Sequence, residues 1–422
     1  MTDRFDVVVA GAGPAGAQCA RDLAMRNYDV LVLETEAEDG FPVQSNKSTG
    51  GTFPSMMSSF GIPDEAVMHY TENVVLESAT DDFTLQQPGA VLDFPNFKRF
   101  LVRDGREYGA TYRFDSRVSK PLMDDGDVVG VRYDGDEEVY ADIVVDATGP
   151  AAPIAKHLGV SELERKYQAI GIEWEMEGVE MDHPGYADLS DAMMLRLDHD
   201  VAPGGYSWIF HTGEDTAKVG ICYIQNEKYH SGSTPTRIDD YFEHWLADDP
   251  RFADAERIEG KQHRGSAHIQ PPAQLCTDNF MAVGDTVPSI DPLWGEGIHK
   301  GMKSGRAAAV TADRCLTGIK DTSADEIEVY ADLWHRNVAP KVKLRLFMTH
   351  LLYYAPTERY DRLIHDLHQL SADTLAAANG GKLLAIAKLL HREDASLLWE
   401  FARENRDLVA GALDQKLPFS RS

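Results

Sequence analysis

Residues 5 to 16 read Phe5-Asp6-Val7-Val8-Val9-Ala10-Gly11-Ala12-Gly13-Pro14-Ala15-Gly16. An apolar, β-branched run that stops at G-x-G-x-x-G and leads into a helix-forming segment predicts a strand, a tight turn and a helix. Gly11 lets the chain turn, Gly13 lets a pyrophosphate approach the backbone, and Gly16 lets the helix lie close to the strand. The helix N-terminus then faces the anion. Tyr28 to Leu33 reads as a second strand and completes a βαβ unit. Glu34 follows it, 18 residues after Gly16, placed to accept hydrogen bonds from ribose hydroxyls. A free 2′-hydroxyl is implied, hence FAD or NAD in preference to NADP. The plain alternative is a glycine turn with no ligand.

Outward from this unit the chain divides. After Glu34 comes a stretch rich in Gly, Ser and Thr, Ser45 to Thr52, then strand-like pieces at Val74 to Glu77 and Val91 to Phe94. Phe97 to Gly109 has helical spacing. Val128 to Tyr133 and Val139 to Val145 read as strands, the second ending in Asp146-Ala147-Thr148-Gly149-Pro150. Ile170 to Met176, Met193 to Leu197, Tyr206 to Phe210 and Lys218 to Tyr223 alternate as a largely antiparallel sheet. Phe280 to Val283 gives a last strand and Gly297 to Thr311 a helix. From Glu326 to Leu413 the pattern is helical, with a break at Gly380-Gly381. The expected class is α/β. A Rossmann-type dinucleotide domain (1–75, 96–165 and 271–322) is interleaved with an antiparallel-sheet substrate domain (76–95 and 166–270) and followed by a helical region (323–422).

Composition narrows the partners. The chain has 422 residues, with 41 Lys+Arg against 69 Asp+Glu and a formal net charge of -28. Such a surface repels nucleic acid, so no nucleic-acid partner is expected. Acidic residues are spread between patterned apolar segments, which points to a cytoplasm of high salt where dense carboxylates are screened. The four cysteines show no metal or disulfide spacing, and no metal site is expected. No run reaches the roughly 18 apolar residues of a membrane span. The expected location is cytoplasmic, with membrane contact limited to the periphery.

Two further stretches separate FAD from NAD. Asp146 to Pro150 closes a strand as in flavoprotein hydroxylases, and Met281-Ala282-Val283-Gly284-Asp285 resembles the second flavin fingerprint of that p-hydroxybenzoate hydroxylase-type superfamily. Gly295-Glu296-Gly297-Ile298 then opens a helix whose N–H groups can face the flavin N1 and O2. Within the superfamily the order of motifs is similar to the geranylgeranyl reductase family, over about residues 5 to 310. Pro203-Gly204-Gly205-Tyr206-Ser207-Trp208-Ile209-Phe210-His211 resembles that family's P-x-x-Y-x-W-x-F-P signature in all but the last position. Strand alternation puts Tyr206, Trp208 and Phe210 on one face, either as the wall of a greasy slot or as the inner face of a core.

The resemblance implies flavin contacts at Ala15, Glu34, Asp285, Gly297 and Ile298, and contacts near the ring at Ser48, Thr49 and Gly51, where the family usually has Cys-x-x-Gly. It places Val118 at the adenine side. Three departures stand out: the missing Cys, Phe94 in place of an arginine before the helix, and His211 in place of proline. The implied activity is FAD-dependent saturation of isoprenoid double bonds, with a polyprenyl lipid, a digeranylgeranylglycerophospholipid, as substrate. A second G-x-G-x-x-G for NAD(P)H is not found, so reduced ferredoxin or another electron donor is expected. No catalytic acid stands out; His211 is the one candidate proton donor, set against the ordinary fate of a strand-end histidine on main-chain carbonyls. Leu344 to Tyr354 is the candidate for a helix at the bilayer interface, set against packing in its own domain. The alternatives are an NADPH-dependent flavin monooxygenase, a menaquinone side-chain reductase and a catalytically idle flavin binder.

Overall fold

A computed structural model describes residues 3–43, 49–225, 237–404 and 406. The βαβ unit forms as the glycine pattern requires. The strand Arg4–Ala10 pairs in parallel with Val30–Leu33 on one side and with Glu137–Asp146 on the other. Phe280–Ala282 extends the sheet in parallel beside Glu137–Asp146, and Thr111–Arg113 flanks Val30–Leu33. Their inner residues are buried, as expected of parallel strands covered on both faces. The hairpin of Val118–Asp124 and Asp127–Tyr133 attaches antiparallel to Glu137–Asp146. Across the sheet lie the helices Pro14–Ala24 and Ile298–Leu316. They pack so closely that a Cβ on Gly305 would come within 2.1 Å of the Ala15 carbonyl oxygen.

The second sheet has eight strands in the order Glu256–His268, Gln168–Glu177, Thr216–Ile224, Gly205–Gly213, Ala192–Arg196, Val67–Glu77, Asp82–Leu92 and Gly51–Thr52. All its pairings are antiparallel except that of Ala192–Arg196 with Val67–Glu77. One face carries a core of Val75, Ile172, Ile209, Val219 and Ile221, which packs with Phe242 and Trp245 of the helix Ile238–Asp248. The helices after residue 323 pack near the far end of the Gly205–Gly213 strand, through Leu346, Tyr353, Tyr360 and Phe401.

Three expectations about elements need correction. The second sheet begins before residue 76: it already recruits Gly51–Thr52 and most of Val67–Glu77, where exposed residues such as Met68, Tyr70 and Glu72 break up the apolar signal. The strand expected to reach Phe94 ends at Leu92, because the Asp93 side chain accepts the Asn96 N–H at 3.0 Å and starts a helix at Phe94. The edge strand Glu256–His268 carries no strand signal in the sequence, since its residues are mostly exposed and polar and none is buried.

Candidate active site

The site gathers where the parallel strands end. Ala10, Asp146 and Ala282 are register partners, so the segments that follow them meet at one edge of the sheet, the usual crevice for a dinucleotide. Gly11 adopts φ +104°, and a Cβ there would come within 2.5 Å of the Ala147 carbonyl oxygen. Around Gly13 nothing stands within 4 Å of such a Cβ, which leaves room for a phosphate at the start of the Pro14–Ala24 helix. A Cβ on Gly16 would come within 2.1 Å of the Gly11 carbonyl oxygen. Asp146 ties the second turn. Its carboxylate accepts the Thr148 hydroxyl at 2.6 Å and the Ala155 N–H at 2.9 Å. Gly149 N donates to Thr286 Oγ1 at 3.1 Å, which joins this turn to the one that carries Asp285.

Glu34 is buried, and its two oxygens accept the N–H groups of Ala12 at 2.7 Å and Glu36 at 3.0 Å. The carboxylate is thus fixed beside the glycine turn with lone pairs to spare. Val118 lies nearby: Ser116 N donates to the Glu34 carbonyl at 2.8 Å, two residues before it. Sequence reasoning missed Lys98, which is only 2% exposed and stands over the Phe41 ring at 4.6 Å. Burial pushes its ammonium down to about 8, against the pull of Glu34 and Glu36. The signal was present: Lys98 falls four residues after Phe94 and three before Leu101, on the buried stripe of its helix. A positive charge therefore sits one turn beyond Phe94, which itself joins an apolar cluster with Phe97 and Met302.

Asp285 receives no hydrogen bond from the described residues, and burial pushes its carboxyl up to about 6. Half-buried at the end of the sheet, its carboxyl group is open to hydrogen bonds from a ligand's hydroxyl groups. Beyond it, the loop Ser289–Gly297 leads into the Ile298–Leu316 helix. Gly295 has φ +65° and Gly297 brings no capping side chain to the first turn. Glu296 Oε1 accepts the His299 N–H at 2.7 Å.

Tyr206, Trp208 and Phe210 share one face of their strand, opposite buried Ile209, with ring centroids 5.8 and 6.5 Å apart along the row. The row spans two segments expected near the flavin ring. A Cβ on Gly51 would come within 2.4 Å of the Phe210 ring, and one on Gly295 within 2.2 Å of the Tyr206 hydroxyl. Trp208 itself is buried over Gly220, and its indole N–H donates to Glu173 Oε2 at 3.0 Å. Lys218, also buried, donates to the carbonyls of Thr49 at 2.9 Å and Leu92 at 3.0 Å. It pins the Thr49–Gly51 segment to the aromatic sheet. Ser48 lies outside the described residues.

His211 is placed elsewhere. It projects from the opposite face of the strand, where its ring nitrogens meet the carbonyls of Ser190 at 2.7 Å and Glu214 at 2.9 Å. Strand alternation removes it from the aromatic row and from proton donation there. The helix Val342–Tyr353 is likewise not an exposed interfacial helix: Leu346, Leu351, Leu352 and Tyr353 are buried, and Tyr353 stacks on Tyr206 at 5.9 Å. None of the four cysteines is a ready thiolate, since burial pushes each thiol up, Cys222 to about 12. Among the described residues no helix is long and apolar enough to cross a membrane.

Comparison with known proteins agrees with this arrangement. The geranylgeranyl reductase catalytic domain family matches residues 171–261, the strands that carry and flank the aromatic row. The lycopene cyclase protein family matches residues 6–210. A digeranylgeranylglycerophospholipid reductase of Haloferax volcanii is 64% identical over 96% of this chain and 99% of its own. Digeranylgeranylglycerophospholipid reductase 2 of Methanopyrus kandleri is 29% identical over 93% of this chain and 98% of its own. Among solved structures, a geranylgeranyl bacteriochlorophyll reductase-like protein of Thermoplasma acidophilum superposes with a TM-score of 0.79 at 22% identity, covering 96% of this chain and 99% of that one. A flavin-dependent brominase follows at 0.69 and 21% identity, over 87% and 92%. At 64% identity across almost the whole of both chains, with the aromatic strand inside the matched catalytic domain, the chain belongs to the digeranylgeranylglycerophospholipid reductases of the geranylgeranyl reductase family.

Proposed function

We propose that this chain is an FAD-dependent reductase that saturates the C=C bonds of geranylgeranyl chains, with digeranylgeranylglycerophospholipids of archaeal membrane-lipid synthesis as substrate. One observation carries the reading. The aromatic row Tyr206, Trp208 and Phe210 reaches from Gly51 to Gly295, between the two segments that would flank the flavin ring. The residues present fit FAD: Gly11, Gly13, Ala15 and Gly16 would hold the pyrophosphate, Glu34 and Val118 the adenosine, Asp285 the ribityl chain, and Thr49, Gly51, Gly295, Gly297 and Ile298 the ring. When bound, FAD supplies the hydride for alkene reduction. The protein's own residues do the rest. The half-buried rings of Tyr206 and Phe210 grip an apolar chain and keep water from the reacting carbons. Lys98 adds positive charge near the adenosine end, and the donors facing the ring favour negative charge there. Reduced ferredoxin is the proposed electron donor.

A phospholipid must also be drawn from a bilayer. We propose peripheral contact through Lys382, Leu383 and Leu384, which follow Gly381, itself close to Leu344 of the helix Val342–Tyr353, and where Leu384 is 87% exposed. To test the function, the protein is reconstituted with FAD in high salt, reduced anaerobically with dithionite and mixed with digeranylgeranyl phospholipid. Rapid return of the oxidised flavin spectrum on adding lipid is expected. Reoxidation that waits for oxygen, and a requirement for NADPH in reduction, would move the assignment to a monooxygenase.

A further inference from the structure

The helical region after residue 323 has a use that family membership does not assign. Three side chains from two of its helices, Arg345, Tyr353 and Asn379, hold the loop that precedes the Ile298–Leu316 helix. Arg345, on Val342–Tyr353, binds Asp291 through two contacts, Nε to Oδ1 at 3.0 Å and Nη2 to Oδ2 at 2.6 Å. Both side chains are mostly buried, at 12% and 13% exposure. Arg345 Nη1 also donates to the Asn379 carbonyl at 2.8 Å and to its Oδ1 at 3.1 Å. Asn379 Oδ1 accepts the Trp294 indole N–H at 2.9 Å, and the Tyr353 hydroxyl donates to the Leu293 carbonyl at 2.7 Å. Inside the loop, Asp291 is the hub. Its carboxylate accepts the Leu293 N–H at 3.0 Å, its carbonyl accepts the Gly295 N–H at 2.9 Å, and its own N–H donates to the Glu296 carbonyl at 2.9 Å. The three bonds that close the loop on itself, at Leu293, Gly295 and Glu296, therefore all run through a residue whose charge is balanced from the helix Val342–Tyr353.

We propose that Asp291 and Arg345 are positioning residues for the flavin: the pair fixes the loop that presents the Gly297 and Ile298 N–H groups, and Arg345 neutralises a carboxylate that would otherwise oppose negative charge on the reduced ring. The inference rests on the FAD assignment above. A partly buried carboxylate is screened weakly by solvent, so the loss of its partner is felt at the neighbouring ligand. The two single neutralisations therefore act in opposite directions. Arg345→Gln leaves Asp291 negative and disfavours reduction, whereas Asp291→Asn leaves Arg345 positive and favours it. A purely structural role has no such sign.

The experiment uses the full chain reconstituted with FAD in high salt. FAD affinity is read by flavin fluorescence, and the two-electron potential by equilibration with a reference dye. For Arg345→Gln we expect the ratio of reduced to oxidised FAD affinity to fall about tenfold, a potential lower by roughly 30 mV. We expect a rise for Asp291→Asn and a value close to wild type for Asp291→Asn/Arg345→Gln. Should Arg345→Gln fail to fold, the rise in Asp291→Asn still decides the matter. Wild-type potentials in both single variants, or shifts of the same sign in both, would overturn the proposal while leaving FAD binding intact. A wild-type chain that takes up no FAD would overturn the functional reading itself.

Discussion

In the proposed site Glu34 and Asp285 would hold opposite ends of the cofactor, by different physics. Glu34 already accepts the Ala12 and Glu36 N–H groups, so it is fixed before a ligand arrives. A hydrogen bond to a charged group is worth about 1.5–3 kcal/mol, and Glu34→Ala is expected to weaken FAD binding roughly ten- to hundredfold, measured by fluorescence titration. Unchanged affinity would remove Glu34 from the site. Asp285 is half-buried and receives no hydrogen bond from the described residues, and desolvation raises its carboxyl from 3.8 to about 6. Between those values the folded apoprotein holds a proton that the unfolded chain releases, so this group's contribution to stability falls as pH rises through the window. The Asp285→Asn apoprotein should therefore melt higher than wild type at pH 7 and no differently below pH 4. Thermal melts across that range check it, and a difference that persists at low pH would contradict it. The places of both residues in the fold were legible in the sequence, because glycine spacing and strand ends fix backbone position. Lys98 was overlooked, since a lysine on a helix is ordinarily solvated and only its place on the apolar stripe marks it as buried.

At the scale of elements, alternation made the aromatic row readable: a period of two residues puts Tyr206, Trp208 and Phe210 together, and by the same rule sends His211 to the far side. What alternation could not show was the partner of each face, which comes from long-range pairing. The polar edge strand Glu256–His268 gave no apolar signal at all. The far side of the sheet holds a buried charge network that sequence gave no hint of. Arg251, with a fully buried side chain, binds Glu77 and Asp249, while Arg196 binds Glu77 and Asp198. Removing one partner of such a network strands the others, at a cost of about 3–5 kcal/mol. Arg251→Met should lower stability by that amount in denaturant titration, and a loss below 1 kcal/mol would show the network to be dispensable. For the C-terminal elements, the apolar run from Leu344 to Tyr354 read equally as interfacial or internal, and the structure makes it internal. The exposed Leu383 and Leu384 take over the proposed contact. A Leu383→Gln/Leu384→Gln variant is expected to lose sedimentation with anionic phospholipid vesicles while reducing detergent-dispersed lipid normally. Vesicle binding equal to wild type would dismiss the patch.

Taken as a whole, the molecule sets an aromatic row from one sheet against the crevice at the end of the other: Lys218 ties the Thr49 segment to the row's sheet, Tyr206 reaches the Trp294 carbonyl, and Arg345 holds the Asp291 loop from the helical region. The class of fold followed from the first sixteen residues and the order of later motifs, because a βαβ unit with that turn has few topologies open to it. The joints did not, since each links residues more than fifty positions apart. Whether this assembly adds hydrogen to isoprenoid double bonds is decided by lipid mass spectrometry after anaerobic turnover with the reduced protein. Digeranylgeranyl phospholipid is expected to gain two hydrogens per bond reduced, in step with flavin oxidised. Lipid recovered unchanged in mass, or heavier by oxygen once air is admitted, would contradict it.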